Sequence, residues 1–262
     1  MSSPTISIIT VTFNACGTIS DCIESVLEQS VDVEHILVDG ASTDGTLRLI
    51  KHYSDSLAKV VSEPDEGIYD AMNKGLRLAT GDVIGILNAD DFFASSGVLK
   101  KVINAFSESD ADACYGDLVY VDSRNIKKVT RYWRSGSFKP EKFYMGWMPP
   151  HPTFFVRRSV YEKYGLFNLN LGSAADYEIM LRFLLRQQLK AIYIPEVLVN
   201  MRIGGESNVS LSNRVLANRN DRKAWDINGL TPYPWTILFK PLRKIGQWFL
   251  RKDKSKSGSD KD

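Results

Sequence analysis

Apolar residues alternate between two spacings along the first hundred positions. Residues 5–12 (TISIITVT) are β-branched and almost continuously apolar, which predicts a strand buried on both faces. Ile19, Cys22, Ile23, Val26 and Leu27 then recur at helical spacing. The alternation repeats. Strands are predicted at residues 35–39, 59–62 and 82–87, and each is followed by a helix. Leu47, Ile50 and Tyr53 mark the inner face of one, Ile68, Ala71, Met72, Gly75, Leu76 and Ala79 that of the next, and Val98, Leu99, Val102, Ile103 and Phe106 that of the third. Such βα repetition predicts an α/β fold, a mainly parallel Rossmann-type sheet wrapped by helices.

Beyond residue 110 the rhythm loosens. Residues 113–121 and 127–133 read as strands of a hairpin about residues 122–125, and 146–152 (GWMPPHP) as irregular chain because its prolines lack amide hydrogens. A strand at 153–156, a strong helix opened by Asp176, a strand at 191–194 and a polar helix at 212–225 follow. This divides the chain into a regular βα half (1–110), a second half of the same domain (111–230) and a tail (231–262) whose end, 252–262, is too polar to pack.

Composition narrows the function. In 262 residues, 44% are apolar, enough for a genuine core, and 33 Lys and Arg against 31 Asp and Glu exclude a chain-wide nucleic-acid-binding charge. Eight basic and three acidic residues fall after position 230, so a body of 25 basic and 28 acidic residues carries a basic tail. Cys16, Cys22 and Cys114 form neither a C-x-x-C pair nor a disulfide framework. With no secretion-like N-terminus and no long apolar run, a cytoplasmic protein is expected.

Ligands of open parallel sheets bind at the carboxyl ends of the strands. Those ends here are Thr12-Phe13-Asn14, Asp39, Glu63-Pro64-Asp65 and Asn88-Ala89-Asp90-Asp91. Carboxylates gathered in one crevice repel unless a cation compensates, and an oxygen-only site favours Mg2+ or Mn2+ over zinc. Neither a dinucleotide fingerprint nor a P-loop follows the first strand. The expected ligand is therefore a nucleoside diphosphate held by base, ribose and metal. Phe13 can pack on the base, and Asp39 can accept from a base N–H such as uracil N3.

Residues 6–14 (ISIITVTFN), 37–45 (LVDGASTDG), 62–75 (SEPDEGIYDAMNKG), 80–82 (TGD) and 87–91 (LNADD) together resemble family 2 glycosyltransferases of the GT-A fold. The resemblance extends over about residues 5–205 and implies a nucleotide-sugar donor, most often UDP-linked, a divalent metal and inversion at the anomeric carbon. It assigns Thr10, Phe13, Asn14 and Asp39 to the base-binding segment, and Asp65 and Asn73 to the donor lining. Many members carry Arg just before that Asn; here Met72 stands there, leaving a charge contact missing or supplied from elsewhere. Asn88, Asp90 and Asp91 match the D-x-D region with Asn in first place, so Asp90 and Asp91 are left to share the ribose and metal contacts. Residues 173–182 (SAADYEIMLR) are similar to the segment holding the general base, which falls on Asp176, with Ala175 where Glu is usual. His151 and Arg202 resemble positions near the diphosphate or the acceptor.

Plainer roles compete at several positions. Asp176 could be only a helix cap, Asp65 a turn residue and His151 a loop anchor; Asp44, among Ser42, Thr43 and Gly45, is read as structural. Phe92-Phe93 and Tyr132-Trp133 are read as packing. The leading function is sugar transfer to a glycan or lipid-linked glycan acceptor in bacterial-type cell-surface polysaccharide synthesis. A sugar nucleotidyltransferase and a non-catalytic sugar-nucleotide-binding module are the alternatives. In the tail, residues 232–252 interleave Trp235, Leu238, Phe239, Leu242, Ile245, Trp248, Phe249 and Leu250 with five basic residues. That pattern suits a helix lying on the anionic cytoplasmic face of a membrane, or one packed on the body or on a second subunit of a homo-oligomer.

Overall fold

The computed structural model describes residues 3–204, 211–236 and Phe239, apart from the side chains of 211–217. The elements predicted for the first hundred residues all form: β1 (Ile6–Thr12), α1 (Ile19–Leu27), β2 (Glu34–Asp39), α2 (Thr46–His52), β3 (Lys59–Ser62), α3 (Ile68–Leu78) and β4 (Val83–Asn88). Then come β5 (Phe92–Phe93) and α4 (Val98–Ser107). The second half holds β6 (Ala113–Val121), β7 (Val129–Trp133), α5 (Pro140–Tyr144), β8 (Phe155–Arg157), α6 (Arg158–Tyr164), α7 (Ala175–Met180), β9 (Ala191–Arg202) and α8 (Leu211–Ile227).

These strands form one sheet in the order β3-β2-β1-β4-β8-β6-β9-β5, with β7 added to β6. β1 lies between β2 and β4 and is buried along its whole length, as its apolar run requires. β6 pairs β8 through Ala113 and Cys114 and β7 through residues 118–121, while β9 runs parallel along its other side. Two antiparallel steps separate β4 from β6, so β1, β2, β3, β4, β6 and β9 all point the same way. Their carboxyl ends share one edge. α3 packs close beneath it: a Cβ added at Gly75 would fall 2.3 Å from Ile9 Cγ2, so only glycine allows this approach.

The second half departs from the sequence pattern in particular places. The strand predicted at 153–156 is a 3-10 turn at His151–Thr153 followed by β8, because Pro150 and Pro152 deny the first residues a ladder. β7 is shorter than predicted and β9 far longer, its later residues being held by β6. The helix expected from Asp176 begins one residue earlier and widens into a π-helical segment over Leu181–Arg186. Phe92-Phe93 packs as expected, and also pairs Asn200 and Val199 of β9 as a two-residue strand. The chain after α8 folds back on the body: Thr236 is buried and its Oγ1 donates to the Tyr144 carbonyl at 2.6 Å. Most of the predicted amphipathic tail and its polar end lie outside the described residues.

Beneath the sheet edge, His35 is 1% exposed; its Nε2 lies 3.0 Å from Thr10 Oγ1 and its Nδ1 has no partner. Burial pushes its pKa from 6.5 down to about 4. The unfolded chain therefore takes up this proton first. Stability should be full above pH 6.5 and fall as the pH drops toward 4, by on the order of 3 kcal/mol. Thermal unfolding between pH 7 and 4.5 should record this loss, and His35→Gln, which keeps a hydrogen-bonding group for Thr10, should reduce it.

Candidate active site

At the carboxyl edge, the candidate residues begin where β1 and β2 end. Register aligns Thr12 with Asp39 and Asp39 with Ser62, so the three side chains rise on one face. Asp39 is fully buried; its Oδ2 accepts from the Ser42 amide at 3.0 Å and from Ser62 Oγ at 2.7 Å. Its Oδ1 is sealed from water and has no donor, and Thr12 Oγ1 is equally unpartnered. An acceptor held in that state suits an incoming N–H, since a buried unmet lone pair costs about 1–3 kcal/mol.

Around this oxygen the loops brace one another. Asn14 takes a left-handed φ of 49°, its amide donates to Ser42 Oγ at 2.8 Å, and its Oδ1 accepts from the Thr43 amide at 2.9 Å. Its side chain is thus spent on joining two loops. Asp44 is structural, as expected: it accepts from the Thr46 and Cys16 amides, each at 3.0 Å. Asp65 Oδ1 closes a turn onto the Gly67 amide at 2.8 Å, while Oδ2 presses on Gly40, where a Cβ would meet it at 2.5 Å and Phe13 Cδ2 at 3.4 Å. Phe13 itself is 63% exposed, an aromatic face open beside the Asp39 pocket. Thr10 lies deeper and is committed to His35.

The end of β4 forms the second part. Cys22, whose thiol pKa burial pushes up to about 12, donates its S–H to the Asn88 carbonyl at 3.4 Å. The Asp91 amide closes onto the same carbonyl at 3.0 Å. Arg202 is buried; it donates to the Asp90 carbonyl at 2.7 Å, pairs with Asp21, and lies over the Phe92 ring with its guanidinium carbon 5.0 Å from the centroid. It holds the loop in shape. Asn88 Oδ1 and both carboxylate oxygens of Asp91 are buried without hydrogen-bond partners. Burial, with the neighbouring Asp90 charge, raises the Asp91 pKa well above the usual range, although the Asn88 amide and the Arg202 backbone nearby partly offset this. Burial also raises Asp90. Three unmet hard oxygens fit a divalent cation. No three His, Cys, Asp or Glu side chains form a ready cage among the described residues, so ligands beyond these must come from the substrate or solvent.

The third part is carried by the loops of the second half. Asp176, in the first turn of α7, accepts from the next amide at 2.7 Å. Tyr69, in the first turn of α3, stands beside it: burial, then the Asp176 charge, holds its pKa well above 10 and keeps it a phenol. His151 is close enough for Asp176 to oppose the downward shift that burial imposes on its pKa. Phe167 packs on both rings, at 5.4 Å from Tyr69 and 6.0 Å from His151. Asn73 holds Phe167 from both sides, donating to its carbonyl at 2.9 Å and accepting from its amide at 3.0 Å.

Glycosyl transferase family 2, as a sequence model, matches residues 7–165. The chain belongs to that family. This family 2 glycosyltransferase is 30% identical over 222 residues to the PGL/p-HBAD biosynthesis glycosyltransferase of Mycobacterium tuberculosis, covering 82% of this chain and 84% of that one. Among solved structures it resembles S. aureus TarS 1-349 in complex with UDP-GlcNAc, with a TM-score of 0.64, 17% identity and coverage of 86% and 70%. It spans 39% of a longer TarS chain. The mannosyltransferase PcManGT from Pyrobaculum calidifontis, in complex with GDP-Man and Mn2+, gives a TM-score of 0.63 at 20% identity, with coverage of 95% and 71%. The fold of this glycosyltransferase is GT-A.

The sequence points to Thr12 only as a strand end and gives Ser62 and Tyr69 no role; Ser62, like Thr12, closes its strand, β3, beside Asp39. Exact strand ends with their register would have exposed both. Asp91→Asn removes a buried carboxyl without changing shape. Calorimetry should show a higher Tm for the ligand-free variant, by about 2–4 °C for each kcal/mol regained.

Proposed function

We propose that this glycosyltransferase moves a sugar, with inversion, from a UDP-sugar to a hydroxyl of a glycan or lipid-linked glycan acceptor in cell-surface polysaccharide synthesis. The observation that carries the reading is the gathering of buried, unmet oxygens of Asp39, Asn88 and Asp91 at the carboxyl edge of one sheet. The TarS complex with UDP-GlcNAc and the PcManGT complex with GDP-Man and Mn2+ support a nucleotide-sugar donor and a divalent metal. The biosynthesis role in the name of the Mycobacterium tuberculosis relative supports a glycolipid-like acceptor.

Residues 1–110 then serve the donor and 111–230 the acceptor. Asp39 Oδ1 accepts the uracil N3–H, and Phe13 covers the base. Asn88, Asp90 and Asp91 hold Mn2+ or Mg2+, which when bound neutralises charge on the departing diphosphate. Asp176 takes the proton of the acceptor hydroxyl as that oxygen attacks C1, and the Tyr69 phenol orients the carboxylate. Neutral His151 lines the acceptor side. Thr10, Asn14, Asn73 and Arg202 act by fixing the loops that carry the contacting groups, and Asp65 limits the space beside the base. The basic tail keeps the enzyme on the cytoplasmic membrane surface, near such an acceptor.

Asp176→Asn should lower transfer by about 10²–10⁴-fold while UDP affinity in Mn2+ stays within about twofold. A parallel fall in both would remove Asp176 from the base role. Thermal-shift screening of UDP and GDP with Mn2+ tests the donor; a ligand at 100 times its Kd adds about 2.7 kcal/mol of stability. Slow release of UDP from a UDP-sugar without acceptor separates an enzyme from a binding module. If neither nucleotide raises the Tm, the donor reading fails.

A further inference from the structure

The hairpin of β6 and β7 reaches the same edge, and none of its side chains is given a contact above. Arg131 of β7 pairs with Tyr120 of β6 in register, and its guanidinium carbon lies 3.8 Å from the centre of the Tyr120 ring and 6.0 Å from that of Trp133. Its Nε and Nη2 are sealed from water and have no acceptor. A guanidinium has five donors and no neutral state at physiological pH, so donors left unmet in a half-buried site cost stability until an anion arrives.

Strand register says where that cation sits. Tyr120 pairs with Met201 of β9, and Phe92 pairs with Asn200; carried on by one residue, that antiparallel register sets Asp91, just outside β5, opposite Met201. One row thus crosses the sheet: Asp91, Met201, Tyr120, Arg131. Three strand spacings put its ends about 14 Å apart, a gap that a long Arg side chain, a diphosphate and a metal ion can fill together. Tyr120 packs against the apolar cluster that holds Cys22 and Phe93, the side of the sheet on which Cys22 donates to the Asn88 carbonyl.

Two other described cations near this edge are already engaged. Arg202 is bound to the Asp90 carbonyl and Asp21, and Lys74 to Glu63, Asp70 and the Pro64 carbonyl. Around Arg131 the field is positive: residues 122–134 contain Arg124, Lys127, Lys128, Arg131 and Arg134 against Asp122 alone. That field favours a multiply charged anion.

We propose that Arg131 binds the diphosphate of the donor and stabilises it as a leaving group. The inference rests on the nucleotide-sugar reading. It assigns to β7 a cationic contact that Met72 cannot make.

The test is calorimetric titration of UDP and uridine, in Mn2+, into the full-length wild type, Arg131→Gln and Arg131→Lys. Arg131→Gln should weaken UDP at least tenfold and leave uridine within twofold, with Arg131→Lys between, since it keeps charge but loses the planar fork. Equal loss of uridine would mean a collapsed site and would overturn the assignment, as would UDP binding unchanged in Arg131→Gln. Should Arg131→Gln fail to fold, Arg131→Lys decides: wild-type UDP affinity there refutes a forked contact. If the wild type itself binds neither ligand, the donor reading falls, and this inference with it.

Discussion

A carboxylate taken out of water with no donor to meet it is among the costliest features a fold can keep, and Asp91 is in that state. The penalty is tolerable for two reasons. Burial raises its pKa, which eases the cost of the buried charge, and Cys22, Arg202 and the Asn88 carbonyl hold its loop in one shape. Stability is given up at this point, and the Asp91 oxygens are left without an internal hydrogen-bond partner. Asp39 repeats it more mildly, with one oxygen satisfied and one left open.

The rest of the molecule makes those exposures affordable. β1 is buried from end to end between β2 and β4, and α3 sits close enough beneath it to demand Gly75. Against that rigid centre, the loops after β1 and β2 lock through Asn14, Ser42, Thr43 and Asp44, so Phe13 and Asp39 keep their places while their functional faces stay open. The part of the edge around Asp176 is fastened differently. Asn73 ties Phe167 to α3, and through Phe167 the rings of Tyr69 and His151 are set around Asp176.

A division of labour emerges between side chains that face the crevice and side chains that hold it. Several residues drawn into the donor site by motif belong to the second group: Thr10 bonds His35, Asn14 joins two loops, Asn73 grips a backbone, and Arg202 braces the Asp90 loop. Each holds a loop in place, and a loop displaced by an ångström would misplace whatever groups it carries.

Apolar periodicity determined much of this protein by itself. The strands and helices of the first hundred residues were legible because each strand is buried on both faces or alternates cleanly, and the acidic strand ends followed from the parallel order. Asp44 as a structural turn residue was equally readable from its neighbours. Tertiary structure alone decided the remainder. β9 extends to Arg202 because β6 pairs along it, and the prolines around His151 delay β8. Whether Asn73 or Asp91 is satisfied depends on a partner 94 positions away in the first case and on the lack of a hydrogen-bonding one in the second. The row from Asp91 to Arg131 brings the start of β5, the end of β9 and the β6–β7 hairpin together from three separate stretches of the chain. Local pattern encodes which face a residue shows; it does not encode what it meets there, because that is fixed by register and by contacts between segments far apart in the chain.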